Sequence, residues 1–250
     1  RLPVAGVAVF LAATLVGIVS GELHRRLRRV AFYKAQSVLA VTSGLEEFRA
    51  RLTELEQIRA HLAGDPLIRL SMAQAYQLAA ERLPTVRLYR QSALAEAEAA
   101  ARLATEMDKP EEEVPTSQEN SAVRAMVEMG GQTTRAWFGL GGDLPLPEGF
   151  ALELARTRAD LLSVTGAAHE AEAVAEYRQA LAMAEKLPPE LARPTMRLLH
   201  NNLAYLLAQA QNPQVRDPQA ALKLIGLVFT EPPLSESENP PSFMASYLDT

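Results

Sequence analysis

The chain begins with an uninterrupted apolar run. Residues 2–21 (LPVAGVAVFLAATLVGIVSG) are all uncharged, and a basic cluster follows them at once. A helix rises about 1.5 Å per residue, so the run would reach roughly 30 Å, the thickness of the hydrocarbon core of a bilayer. Four arginines and Lys34 follow the run, whereas Arg1 alone precedes it. The positive-inside rule therefore predicts a membrane span whose soluble part lies in the cytoplasm.

Two other interpretations of the run stay open. A cleaved signal peptide fits less well, because the run is too long for one and the basic cluster lies on the wrong side. Alternatively the helix is buried among protein subunits, since lipid tails and packed helices present similar apolar surroundings. Ala13, Gly17 and Gly21 are small residues four positions apart, a spacing that favours close packing against another helix.

The composition of the chain favours helices and offers little chemistry. Of its residues 48% are hydrophobic and only 6% aromatic, and there is no cysteine. The four histidines are scattered, so we predict no metal, no cofactor and no catalytic residues. Residues 22–34 carry five Arg or Lys against one Glu, but 150–250 carry eight against twelve Asp or Glu. A nucleic-acid-binding surface is therefore not predicted.

Helical periodicity divides the next part of the chain. Residues 22–62 have the apolar spacing of one amphipathic, heptad-like helix or stalk. Asp65 as N-cap and Pro66 at the first helical position predict a new helix, which opens a helical hairpin, a degenerate repeat, over 65–108. Prolines and acids then mark 109–149 as a linker, a helix and a glycine-rich loop. The apolar positions that give the predicted 22–62 helix its heptad-like spacing are Leu27, Ala31, Val38, Val41, Leu45, Phe48, Leu52, Leu55 and Leu62.

A repeated pattern appears within 150–250. Ala173, Tyr177 and Ala180 have the spacing A-x3-Y-x2-A, and prolines follow them. The same frame recurs 48 residues later at Ala221, Ile225 and Val228. This pattern resembles the second helix of a tetratricopeptide repeat (TPR). The resemblance implies an all-α fold in which helix-turn-helix repeats stack into an α-solenoid, the last repeat being incomplete.

The resemblance also implies a groove that binds a peptide or a helix of a partner protein. In the family, the first helix of each pair supplies the groove residues. The pair Asn201-Asn202 invites comparison with carboxylate-binding clamps, but the basic residues of such clamps are not matched here, and a cap or a local hydrogen bond is the alternative role of Asn201. Carried over by register, the groove positions are Arg156, Asp160, Ser163, Leu198, Asn201, Tyr205 and Ala208.

Two hypotheses of function follow. The first is a membrane-anchored TPR scaffold, without catalysis, that brings protein partners together. The second is a self-assembling subunit of a filament or tube, extracellular or at the cell surface, in which the apolar helix is buried among neighbours. The final residues (SFMASYLDT) have the apolar spacing of another first helix that needs covering. Both hypotheses predict self-association or binding of a partner, and we expect a homo-oligomer.

Overall fold

Helices are the only regular secondary structure in the described part of the chain. A computed structural model describes residues 4–83, 85–107, 146 and 149–230, without the side chains of 4–19, 22, 190–191 and 230. The first four helices are α1 (Val4–Val41), α2 (Leu45–Ala60), α3 (Pro66–Arg82) and α4 (Val86–Met107). The other four are α5 (Phe150–Ser163), α6 (Glu170–Ala184), α7 (Pro189–Gln209) and α8 (Pro218–Thr230). The prediction of an all-α fold is confirmed for these residues.

Helices that are neighbours in sequence pack as pairs. The most extensive contacts lie within α3/α4, α5/α6 and α7/α8, and α1 packs on α2. Each pair touches the next through α4 and α5 and through α6 and α7, while α1 and α2 both contact α3. The pairs therefore follow one another in chain order, and each is stabilised by its immediate neighbours.

Alanines at the pair contacts let the helices approach closely. Ala93 and Ala97 of α4 and Ala173 and Ala180 of α6 are completely buried. One hydrophobic cluster joins α1 to α4, and a second joins α5 to α8. Leu161 of α5 packs into the first cluster, which links the two halves of the described chain.

Local signals fix the start of two helices, and the start of α3 is as predicted from the sequence. The Asp65 carboxylate accepts a hydrogen bond from the Leu67 amide at 3.0 Å, and Pro66 occupies the first turn of α3. Asp217 does the same for α8 by accepting from the Ala220 amide at 2.9 Å. The predicted linker, helix and loop of 109–149 and the incomplete last repeat fall almost wholly outside the described residues.

The single helix predicted over 22–62 is two helices in the structure, because the chain breaks at 42–44. Gly44 has an extended backbone (φ −77°, ψ 128°) and forms the N-cap of α2. The Arg82 guanidinium of α3 donates to the carbonyl oxygens of Thr42 at 2.5 Å and Ala40 at 3.1 Å. Because these contacts satisfy the last carbonyl groups of α1, they stabilise its end at this point.

The C-terminal half of α1 is attached to the body. Phe32 and Leu39 are buried against α2 and α3, and the Arg29 Nε donates to the Asp65 carboxylate at 2.6 Å. The helix has 38 residues. At about 1.5 Å per residue it is roughly 57 Å long.

A buried carboxylate holds three helices together in the first half of the body. Glu96 of α4 forms an ion pair with Arg59 Nη1 of α2 at 2.9 Å and accepts a hydrogen bond from Arg69 Nη1 of α3 at 2.8 Å. The Glu96 side chain is 10% exposed, so both ion pairs form in a largely dehydrated place. Each carboxylate oxygen therefore serves a different neighbouring helix.

Within the described residues, the structure contains no helix that combines the length and the hydropathy needed to cross a membrane. The predicted packing residues Ala13 and Gly17 lie outside the described side chains. Gly21 is exposed, and a Cβ placed on it would meet nothing within 4 Å.

Candidate functional site

Three of the predicted groove positions belong to α5, and their polar groups are engaged within the protein. Arg156 Nε donates to the Glu153 carboxylate at 3.0 Å, and Arg156 Nη1 donates to Asp160 at 3.3 Å. The Ser163 hydroxyl donates to the Asp160 carbonyl oxygen at 2.7 Å. The spacing of three and four residues places the charged groups on one face of the helix, where they can pair.

Asp160 connects α5 to the next two helices. Its Oδ1 accepts from the Tyr177 hydroxyl of α6 at 2.5 Å and from the Asn202 amide of α7 at 3.1 Å. On the other side, Gln74 Nε2 of α3 donates to Glu153 at 2.7 Å. These side chains form one polar network across four helices, comprising Gln74, Glu153, Arg156, Asp160, Tyr177 and Asn202.

Burial shapes the ionisation of this network. It raises the pKa of the Tyr177 hydroxyl well above the usual range, and the nearby Asp160 carboxylate raises it further. Burial also raises the pKa of Asp160 above its usual 3.8, although Tyr177, Arg156 and Asn202 offset part of the effect. Tyr177 therefore remains a hydrogen-bond donor at neutral pH, with Asp160 as its acceptor.

The raised pKa of Asp160 predicts how stability depends on pH. The folded state binds protons more readily than the unfolded chain, so the stability from this group is present below pH 3.8 and is lost as pH rises through its folded pKa. We expect Asp160→Asn, which keeps an acceptor oxygen and removes the charge, to flatten this slope. Urea unfolding at a series of pH values measures it. Glu185→Gln, at an exposed site, serves as control, and an unchanged slope in Asp160→Asn would contradict the prediction.

The other predicted groove positions form an exposed face of α7. Leu198 is 43% exposed and Tyr205 65% exposed, and Asn201 between them is also exposed. Ala208 continues the line as a partly buried residue. Their spacing of three, four and three residues places them on one side of the helix. We call these four residues the α7 face.

The helix that carries the α7 face is fixed by contacts along its length and just after its C-terminal end. Asn202, next to Asn201, belongs to the polar network, while Leu199 and Leu203 are buried in the second core cluster. The buried Glu170 carboxylate at the start of α6 accepts from the Gln211 amide at 2.9 Å and the Asn212 amide at 2.8 Å. These contacts fix the chain just after α7, so the position of the helix that carries the α7 face is well defined.

The structure thus separates the predicted groove residues into two groups. Leu198, Asn201, Tyr205 and Ala208 lie together on α7. Arg156 and Asp160 lie within the polar network, beside Ser163, whose hydroxyl donates to the Asp160 carbonyl oxygen. Sequence reasoning missed Glu153 and Gln74, and it did not assign Asn202 to the polar network. The one signal available for them was the spacing of Glu153, Arg156 and Asp160 along a helix, which is typical of ion pairs.

Within the described residues, no group of three or more His, Asp or Glu side chains is placed to hold a metal ion. Comparisons of the chain with protein-family models, with curated proteins and with solved structures find no match.

Proposed function

We propose that this chain is a non-catalytic helical-repeat scaffold of the TPR type that binds a protein partner on the α7 face. The observation that carries the proposal is the exposure of Leu198 and Tyr205 on one side of α7, a helix that is fixed by contacts with α5 and α6. The order in which the helix pairs contact one another also fits a repeat architecture. In this proposal the groups of the polar network position α7 and do not contact the partner.

The chemistry of the α7 face suits a protein segment. Tyrosine offers a large, rigid ring with a polar tip, and such residues carry much of the binding energy at protein interfaces. Leu198 adds apolar area on one side of Asn201, whose amide can donate to and accept from a backbone. A partner helix or extended peptide that buries Tyr205 would fit this arrangement.

The membrane part of the proposal rests on the sequence alone. The support is the uncharged run of residues 2–21 and the excess of arginines after it. With that orientation the helix pairs would lie in the cytoplasm, close to the membrane. The scaffold would then hold its partner at the membrane surface.

A photoreactive benzophenone amino acid at position 205 tests the proposed face in the full chain. We expect covalent adducts with a protein partner on illumination of native membranes, and none from the same group at Leu88, which is 60% exposed on α4. Tyr205→Asp should weaken binding of the partner so identified by about 2 kcal/mol or more, as measured by titration of the purified components. Equal labelling at the two positions, or none at 205, would contradict the proposal.

A second candidate function is a self-assembling structural subunit. Within the described residues, α8 leaves large apolar side chains exposed, namely Leu222 (71%), Leu227 (47%) and Phe229 (78%). A contact between this surface and a different surface of the next copy would be heterologous and would extend into a filament unless the rotation closed. Adducts containing only copies of this chain, with filaments in detergent-free electron micrographs, would favour this candidate.

A further inference from the structure

The first described helix carries an exposed apolar stripe. Leu23 is 54% exposed, Leu27 59%, Val30 56% and Val41 81%. These residues occupy the a and d positions of a heptad, with Leu27 and Val41 at a and Leu23 and Val30 at d. We call these four residues the α1 seam. Large apolar side chains exposed in a regular line are typical of an interaction surface.

The body of the protein lies on the other side of α1. Phe32, Ala35 and Leu39 are buried against it. At 3.6 residues per turn, Phe32 and Leu39 lie roughly 150° around the helix from Leu23 and Leu27. The body therefore leaves the α1 seam accessible to another helix. The register of the seam also differs from the one predicted from sequence, since Ala31 and Val38 flank it.

We propose that the α1 seam is the site at which two copies of this chain pair, with their α1 helices parallel and in register. The proposal concerns a different surface from the α7 face and does not depend on it. In a parallel pair, each a or d residue meets the same residue of the other copy, so Leu27 packs on Leu27 and Val30 on Val30.

The charge pattern beside the seam favours a second copy as the occupant. In a parallel pair, Arg26 at a g position faces Ala31 of the other copy, and Tyr33 faces Val38, so no like charges are opposed at these flanking positions. Arg25 occupies an outward f position. Arg25 and Arg26 therefore lie outside the a and d layers of the pair.

The sequence continues the seam in one direction only. Towards the N-terminus the next a and d positions are Ser20, Val16, Ala13, Val9 and Gly6, so after one serine the heptad repeat continues with apolar or small residues into the apolar run. Parallel pairing matches these residues with their own copies. Antiparallel pairing over the seam would instead leave the two uncharged runs at opposite ends of the pair.

Lys34 occupies the a position between Leu27 and Val41, and Ser37 occupies the d position after it. Both are exposed, and the Ser37 hydroxyl donates to the Lys34 carbonyl oxygen at 2.8 Å. A single lysine at an a position weakens a coiled coil but helps to fix its register and its number of strands. The seam thus has apolar contacts on both sides of two adjacent polar layers, Lys34 and Ser37.

The absence of cysteine from the chain allows a direct test. Leu27→Cys and Arg25→Cys each introduce a single thiol into the full protein, at a seam and an outward position. Under mild oxidation we expect disulfide-linked dimers to form at least about tenfold faster from Leu27→Cys, because facing thiols share a millimolar effective concentration. A facing pair also meets the distance requirements of a disulfide. Non-reducing gel electrophoresis over a time course measures both rates.

Each of the other outcomes overturns the proposal. Equal rates for the two variants would indicate random collision. If Leu27→Cys forms no dimer, its labelling by a water-soluble maleimide is measured with and without vesicles of phosphatidylcholine and phosphatidylserine. Protection by these vesicles would assign the seam to a lipid surface, and labelling in both conditions would leave it exposed to water.

Discussion

Replacing Tyr177 with alanine is expected to lower the free energy of unfolding by about 3–5 kcal/mol, the range for removal of a buried aromatic side chain. Tyr177 is 2% exposed and is one of the largest fully buried side chains. Its ring packs among α5, α6 and α7, and its hydroxyl donates to Asp160. The substitution would therefore leave a cavity and remove a connection of the polar network.

Tyr177→Phe separates these two contributions. It keeps the ring and removes only the hydroxyl, so we expect a loss of about 1–2 kcal/mol. Chemical denaturation followed by circular dichroism measures both variants. If Tyr177→Phe were as damaging as Tyr177→Ala, the packing of the ring would contribute little and the prediction would be wrong.

Replacing Glu96 with alanine is the other substitution with a large expected effect. It leaves Arg59 and Arg69 beside one another without the carboxylate that now pairs with both. Breaking a buried ion pair by removing one partner typically costs about 3–5 kcal/mol. Arg59 and Arg69 are 26% and 19% exposed, so water relieves part of the penalty and the lower end of this range is expected.

Glu98→Ala is the matched control for Glu96→Ala. It removes a carboxylate from the same helix at an exposed position, so we expect a change within about 0.5 kcal/mol. Thermal unfolding of the two variants side by side gives the comparison. Similar melting temperatures for both would show that Glu96 does not connect α2, α3 and α4 in the way the distances indicate.

Helix boundaries were predictable where the signal was local. Asp65 and Asp217 cap the amides of residues two and three positions later, and prolines follow both. The break at 42–44 was not predicted, because it is stabilised by Arg82, which lies forty residues after Thr42 in the chain. The apolar spacing through this region fits one long helix as well as two that pack together.

In the candidate site, too, the features that depend on local spacing were predictable and those that depend on tertiary contacts were not. Leu198, Asn201 and Tyr205 share a face because of helical spacing, which the sequence displays directly. The role of Asp160 depends on Tyr177 and Asn202, which lie on other helices. Partners brought together by tertiary packing leave no regular spacing in the sequence. Asp160 therefore looked like a groove residue, whereas its observed bonds are those of a residue that positions neighbouring helices.

Contacts between sequence neighbours have a consequence for folding. Because α3/α4, α5/α6 and α7/α8 each form from adjacent segments, little chain must be ordered before the first stabilising contacts appear. Folding can begin in any one pair and propagate to the next along the chain. Conversely, damage at one end should spread inward gradually, so the helix pairs nearest the damage would lose their hydrogen-exchange protection first.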